Sequence, residues 1–140
     1  MEYRRFGNKV FVRMDRGEEV LAQLKALCEA EKITLAEVKA LGALSEFTVG
    51  LFNTDTKQYE STTYHEMTEI TSLWGTVTTK EGQHYAHLHL SAAGRDNRAL
   101  GGHMSRAVVG GTVEMVLDVV DGTVERAFSE EIGLNLFRFV

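Results

Sequence analysis

Apolar and polar positions alternate or recur along most of this chain, and the two periods, about 2 and about 3.6 residues, divide it into strands and helices. Val10-Phe11-Val12-Arg13-Met14 alternates weakly and predicts a first strand. Val20, Leu21, Leu24, Leu27 and Cys28 then recur at helical spacing, which predicts a helix over 17–31 with one apolar face. Asp15 is its expected N-cap, with Glu18 three residues on as the capping-box partner. Cys28 falls on the apolar face and reads as a small core residue. Thr34 and Glu37 repeat the capping-box spacing and predict a short helix through about Lys39, ended by Gly42.

Beyond Gly42 the β period dominates. Phe47 to Phe52 and Tyr59 to Tyr64 read as a hairpin around Asn53-Thr54-Asp55. Thr68 to Val77 is rich in β-branched and aromatic residues and predicts a longer strand. Tyr85 to Ala92 follows after the turn Lys80-Glu81-Gly82-Gln83, and Gly94 to Gly102 reads as a polar loop. Val113 to Val120, the turn Asp121-Gly122 and Val124 to Phe128 read as a second hairpin. Leu134 to Val140 closes the chain as a last strand. About seven strands, eight at most, follow one long and one short helix. That order predicts an α+β fold with a mainly antiparallel sheet.

Composition narrows the class. The 140 residues suit one domain, expected to span residues 1–140, and can bury a core without disulfide staples. Fifteen basic against twenty acidic residues give a net charge of −5, and no basic run exceeds Arg4-Arg5. A protein that grips duplex DNA alone needs a basic face, so direct DNA binding is not the expectation. The lone Cys28 excludes an intrachain disulfide, and the first residues lack an apolar signal core, so a reducing cytoplasm is expected. No run approaches the roughly 18 apolar residues of a membrane span, so no membrane partner is expected.

The chemistry concentrates in His84-Tyr85-Ala86-His87-Leu88-His89. On a strand, His87 and His89 point to one face while Leu88 and Leu90 point to the other. Two imidazoles so placed can converge on one metal ion. A third ligand must come from elsewhere, and His103, after Gly101-Gly102, is the candidate if the loop doubles back over the strand. Three neutral imidazoles with an open position suit Zn²⁺, so zinc is the expected divalent metal; imidazole also suits nickel, copper and iron. Glu69 is the candidate carboxylate, as a partner to a histidine N–H or as a general base acting through water. His84 and His65 read as solvated strand-end residues, and Arg95 and Arg98 as possible anion contacts in a loop.

Several segments resemble the PPC family, the plant and prokaryote conserved domain. They are His87-Leu88-His89-Leu90-Ser91-Ala92-Ala93-Gly94-Arg95-Asp96 with Leu100-Gly101-Gly102-His103, then Val109-Gly110-Gly111-Thr112-Val113-Glu114-Met115-Val116-Leu117, and Thr68-Glu69-Ile70-Thr71-Ser72-Leu73-Trp74-Gly75. The helix start Gly17-Glu18-Glu19 and the turn Leu41-Gly42-Ala43-Leu44 fit as well. The resemblance implies an α+β fold assembled as a homotrimer. Plant members carry the domain behind AT-hooks, where it serves nuclear targeting and contact with protein partners. Stand-alone prokaryotic members are usually labelled DNA-binding, and several look like metal-site proteins, with His87, His89 and His103 as the matching residues here. This chain has no Arg-Gly-Arg-Pro hook and no proline at all. Three classes stay open: a metal-bearing regulatory or interaction module with possible protein partners, a metal-dependent enzyme acting on a small electrophile, and a metal-free interaction module.

Overall fold

A computed structural model describes residues 1–139. Nine strands and one helix are formed among them. The strands are β1 (Glu2–Phe6), β2 (Lys9–Asp15), β3 (Ala36–Asn53), β4 (Gln58–Tyr64), β5 (Thr68–Lys80), β6 (Gln83–Ala93), β7 (Ala99–Val119), β8 (Glu125–Ser129) and β9 (Leu134–Arg138), with α1 (Val20–Glu31) between β2 and β3. Every strand pairing is antiparallel except the short β5–β8 contact at Thr79 and Glu125. The expected α+β class with a mainly antiparallel sheet is therefore what the chain forms.

The sheet closes on itself. β3 pairs with β5, β5 with β6, β6 with β7, and β7 returns to β3. The residues pointing into this ring and the apolar face of α1 make one core. It contains Leu24, Leu27, Val38, Phe47, Leu88, Leu90, Met104 and Met115. Cys28 is part of it, and burial pushes its thiol up to about 12.

Several expectations are corrected by the structure. The short helix at Thr34 to Lys39 is the start of β3. Ala36 and Val38 are buried while Lys39 is exposed, a period of two that the capping spacing masked. Thr34 caps nothing; its hydroxyl donates to the Gly122 carbonyl at 2.9 Å. Gly42 ends no helix. It sits at a bulge in β3 with φ of 137°, a conformation that favours glycine. The N-cap of α1 is Glu19, whose carboxylate accepts from the Leu21 and Ala22 N–H groups, while Glu18 accepts from the Asp15 N–H.

Asp121-Gly122 makes a turn but not a hairpin, because β8 crosses away from β7 to pair with β5 and β9. The chain is held in that path by Val120 N–H donating to Leu35 and Thr79 N–H donating to Val124. The loop expected over Gly94 to Gly102 is shorter, since β7 already begins at Ala99. Strand β1, whose five residues are all exposed, was not foreseen.

Candidate metal centre

Strand β6 separates two environments by simple alternation. Leu88 and Leu90 are 1% and 2% exposed and lie in the core. His87 and His89 point the other way, outward, opposite Thr76 and Trp74 of β5. On the other edge of β6, His89 stands directly opposite His103 of β7. Residues directly opposed in an antiparallel pair share a face, so the register itself delivers the third histidine. No loop doubles back over the strand, as the sequence had suggested; β6 and β7 are the arms of a hairpin. Gly102 makes this passage possible. A Cβ there would lie 2.6 Å from the Gly50 carbonyl oxygen of β3, so only a residue without a side chain lets β7 run between β3 and β6.

The result is compact. One ligand atom from each of His87, His89 and His103 lies within 4.8 Å of the others. The ring centroids are 5.1 Å apart for His87 and His103, 5.3 Å for His87 and His89, and 5.8 Å for His89 and His103. His87 and His103 are half-buried and His89 is exposed, so the cluster opens to solvent on one side. Burial, with the neighbouring His103, Arg126 and His89 adding to it, pushes the His87 imidazole down to about 4. Burial and His89 lower His103 in the same sense. Both therefore keep the neutral, electron-pair-bearing form at neutral pH, which is the ligating form. The buried Nδ1 of His103 has no hydrogen-bond partner among the described residues.

The half-buried side of the cluster, at His87 and His103, borders a cavity of about 280 Å³, to which Tyr59, Tyr85, Arg126 and Phe137 also contribute. Tyr59 stands beside His103 at 5.0 Å between ring centroids. The β8–β9 hairpin forms the far wall through Arg126, Asn135 and Phe137. None of the described residues lining this cavity is a carboxylate.

The other sequence candidates lie elsewhere. Glu69 is exposed and paired with Ala43 and with Ala93 at the C-terminal end of β6, and is not in the histidine cluster. His84 points to the inward side of β6 and is half-buried, with Nδ1 unpartnered. His65 is exposed and its Nδ1 lies 3.2 Å from Glu46. Arg98 folds back on Asp96 at 2.7 Å. Arg126, Tyr59 and Tyr85 were missed as site residues. Arg126 in particular looks like an ordinary strand charge, and it is covered by residues of three other strands, Thr78 of β5, Tyr85 of β6 and Phe137 of β9.

Comparison with known proteins adds the following. The sequence profile described as the Plants and Prokaryotes Conserved (PCC) domain matches residues 1–121. No curated protein matches. Among solved structures, a candidate DNA-binding protein from Bacteroides thetaiotaomicron is 32% identical, with a TM-score of 0.96 over 99% of this chain and 96% of that one. A metal-containing protein from Archaeoglobus fulgidus is 30% identical, with a TM-score of 0.87 over 99% and 97%. A plant- and prokaryote-conserved protein from Pyrococcus horikoshii is 26% identical, with a TM-score of 0.86 over 99% and 94%.

Proposed function

The chain belongs to the Plants and Prokaryotes Conserved (PCC) domain family, and from that premise we propose that it holds one divalent metal ion, zinc, on His87, His89 and His103 of each subunit of a homotrimer. The observation that carries this reading is the convergence of three imidazole donors within 4.8 Å on one face of the β6–β7 pair. The donor set fits the ion. All three are nitrogen ligands, His87 and His103 are biased toward the neutral form, and His103 carries a buried nitrogen with no described partner. Three protein ligands leave a fourth position, where a zinc ion supplies Lewis acidity. The Archaeoglobus relative described as metal-containing supports the same assignment.

The trimer reading rests on the family and on the outward sheet face. Phe11, Leu41 and Trp74 are 52%, 60% and 53% exposed there, and burying such side chains favours association. A metal-bearing regulatory or interaction module is the role that this arrangement supports best, with any DNA contact made through protein partners. The single buried Cys28 suits a reducing cytoplasm. No helix is long and apolar enough to cross a membrane.

A second reading is an enzyme. It is favoured by the cavity that meets the histidines at their half-buried side. A third, direct DNA binding, follows the description of the Bacteroides relative and is opposed by the net charge of −5.

The deciding measurement is metal content per subunit in untagged protein, wild type beside His89→Ala, with subunit number by analytical ultracentrifugation. Near-stoichiometric metal in a trimer, lost on substitution, is the expected result. Wild type that neither carries nor takes up metal would leave the metal-free interaction module. Affinity for duplex DNA that falls steeply with salt would instead restore the DNA reading.

A further inference from the structure

Arg126 is the most unusual charge in the molecule. Its side chain is 8% exposed, yet no described carboxylate pairs with it. Nε donates to the Thr78 hydroxyl at 2.9 Å and Nη1 donates to the Asn135 carbonyl at 2.8 Å. The guanidinium also lies over the Tyr85 ring at 4.7 Å and the Phe137 ring at 4.5 Å. These contacts fix its plane. Nη2 is left buried with no partner among the described residues. A buried cation with a free donor is costly unless an anion completes it. The free donor belongs to a residue that lines the same cavity as His87 and His103.

We propose that this cavity is a binding site for a small organic acid, whose carboxylate is received by Arg126. The inference rests on the metal reading only in that an ion on the histidines would add positive charge to the same cavity; the guanidinium stands without it. Three features select the ligand. Nη2, on a guanidinium held between two rings, offers a charge-assisted hydrogen bond to a carboxylate oxygen. The lining supplies no competing acid. About 280 Å³ admits a small acid and is tight for a nucleotide. The Oδ1 of Asn135, also buried and without a partner among the described residues, offers an acceptor for a hydroxyl on such an acid.

The test is isothermal titration of the full chain with glycolate, glycolamide and inorganic phosphate, on metal-loaded and metal-stripped protein, with metal content assayed in the same samples. Glycolate should bind wild type, glycolamide at least about tenfold more weakly, and Arg126→Met should weaken glycolate by about 10- to 100-fold, the loss expected for a charge-assisted pair, with metal content unchanged. If Arg126→Met fails to fold, Arg126→Lys, which keeps the charge but loses the fork, should still weaken glycolate. Glycolate binding to metal-free wild type that depends on Arg126 would sustain this site while the metal reading fell. Equal binding by wild type and folded variant, no binding at millimolar glycolate, or phosphate binding more tightly than glycolate would each overturn it.

Discussion

Leu88 and His89 are adjacent on β6 and live in different worlds. Leu88 is sealed in the ring of β3, β5, β6 and β7, where each fully buried leucine contributes about 1.5–3 kcal/mol. His89 faces outward, exposed, its contribution to packing small, and its neighbours across the sheet are Trp74 and His103. The inner face sets whether the chain folds; the outer face sets what it can bind. Because side chains alternate, a chemically committed face is obtained from the same strand with no loss to the core.

The harshest test of that division is a methyl group that damages both faces. In Gly75→Ala the new Cβ would meet the His87 carbonyl oxygen at 2.0 Å and the Leu88 Cα at 2.7 Å, both backbone atoms that cannot swing aside. We expect a loss of about 3 kcal/mol or more in urea unfolding, together with loss of metal, since His87 itself must move. Next in size is a pair of substitutions one residue apart, each measured in chelator and again for metal content. Leu88→Ala should cost about 2–5 kcal/mol and keep the metal below its unfolding transition. His89→Ala should change metal-free stability by no more than about 0.5 kcal/mol and abolish metal binding. Comparable destabilisation by the two would show that the faces are not separable.

The smallest effect concerns the wall of the cavity. Glu125 anchors β8 by accepting from the Thr79 hydroxyl at 2.6 Å and from the Glu81 and Gly82 N–H groups. The Thr79 bond, ahead of the opposing cost of desolvation, holds its carboxyl below the usual carboxylate range. A depressed pKa means stability that is present above the unfolded value, near 4.3, and is lost as pH falls through the folded one. Thermal melts should therefore show wild type above Glu125→Gln at pH 6, with the gap narrowing as pH falls below the unfolded value. A gap that persists at low pH would mean the ionised form is not what anchors β8.

The parts that were legible in the sequence share one property: local pattern alone determined them. The apolar stripe of α1 and the His-Leu alternation of β6 are of this kind, and so the two β6 ligands could be named. His103 could be named but not placed, because its position depends on the β6–β7 register. The Thr34 and Glu37 spacing mimicked a cap while Ala36 and Val38 carried the β period, and the pairing of β3 on both edges decided between them. Asp121-Gly122 kept its turn chemistry, yet its hairpin was lost to a non-local partner. Arg126 was beyond reach for the same reason. A charged residue on a short strand reads as solvated unless one knows which strand covers it.

The pairings that close the circuit of β3, β5, β6 and β7 differ widely in sequence span. The β6–β7 hairpin that joins His89 to His103 is local in sequence, and its loop can close within microseconds. The β3–β7 ladder joins Ala36 to Val119, and the loop entropy for that closure must be met before its contacts return anything. All three histidines lie on that hairpin, so the more local of the two closures is the one that assembles the ligand set.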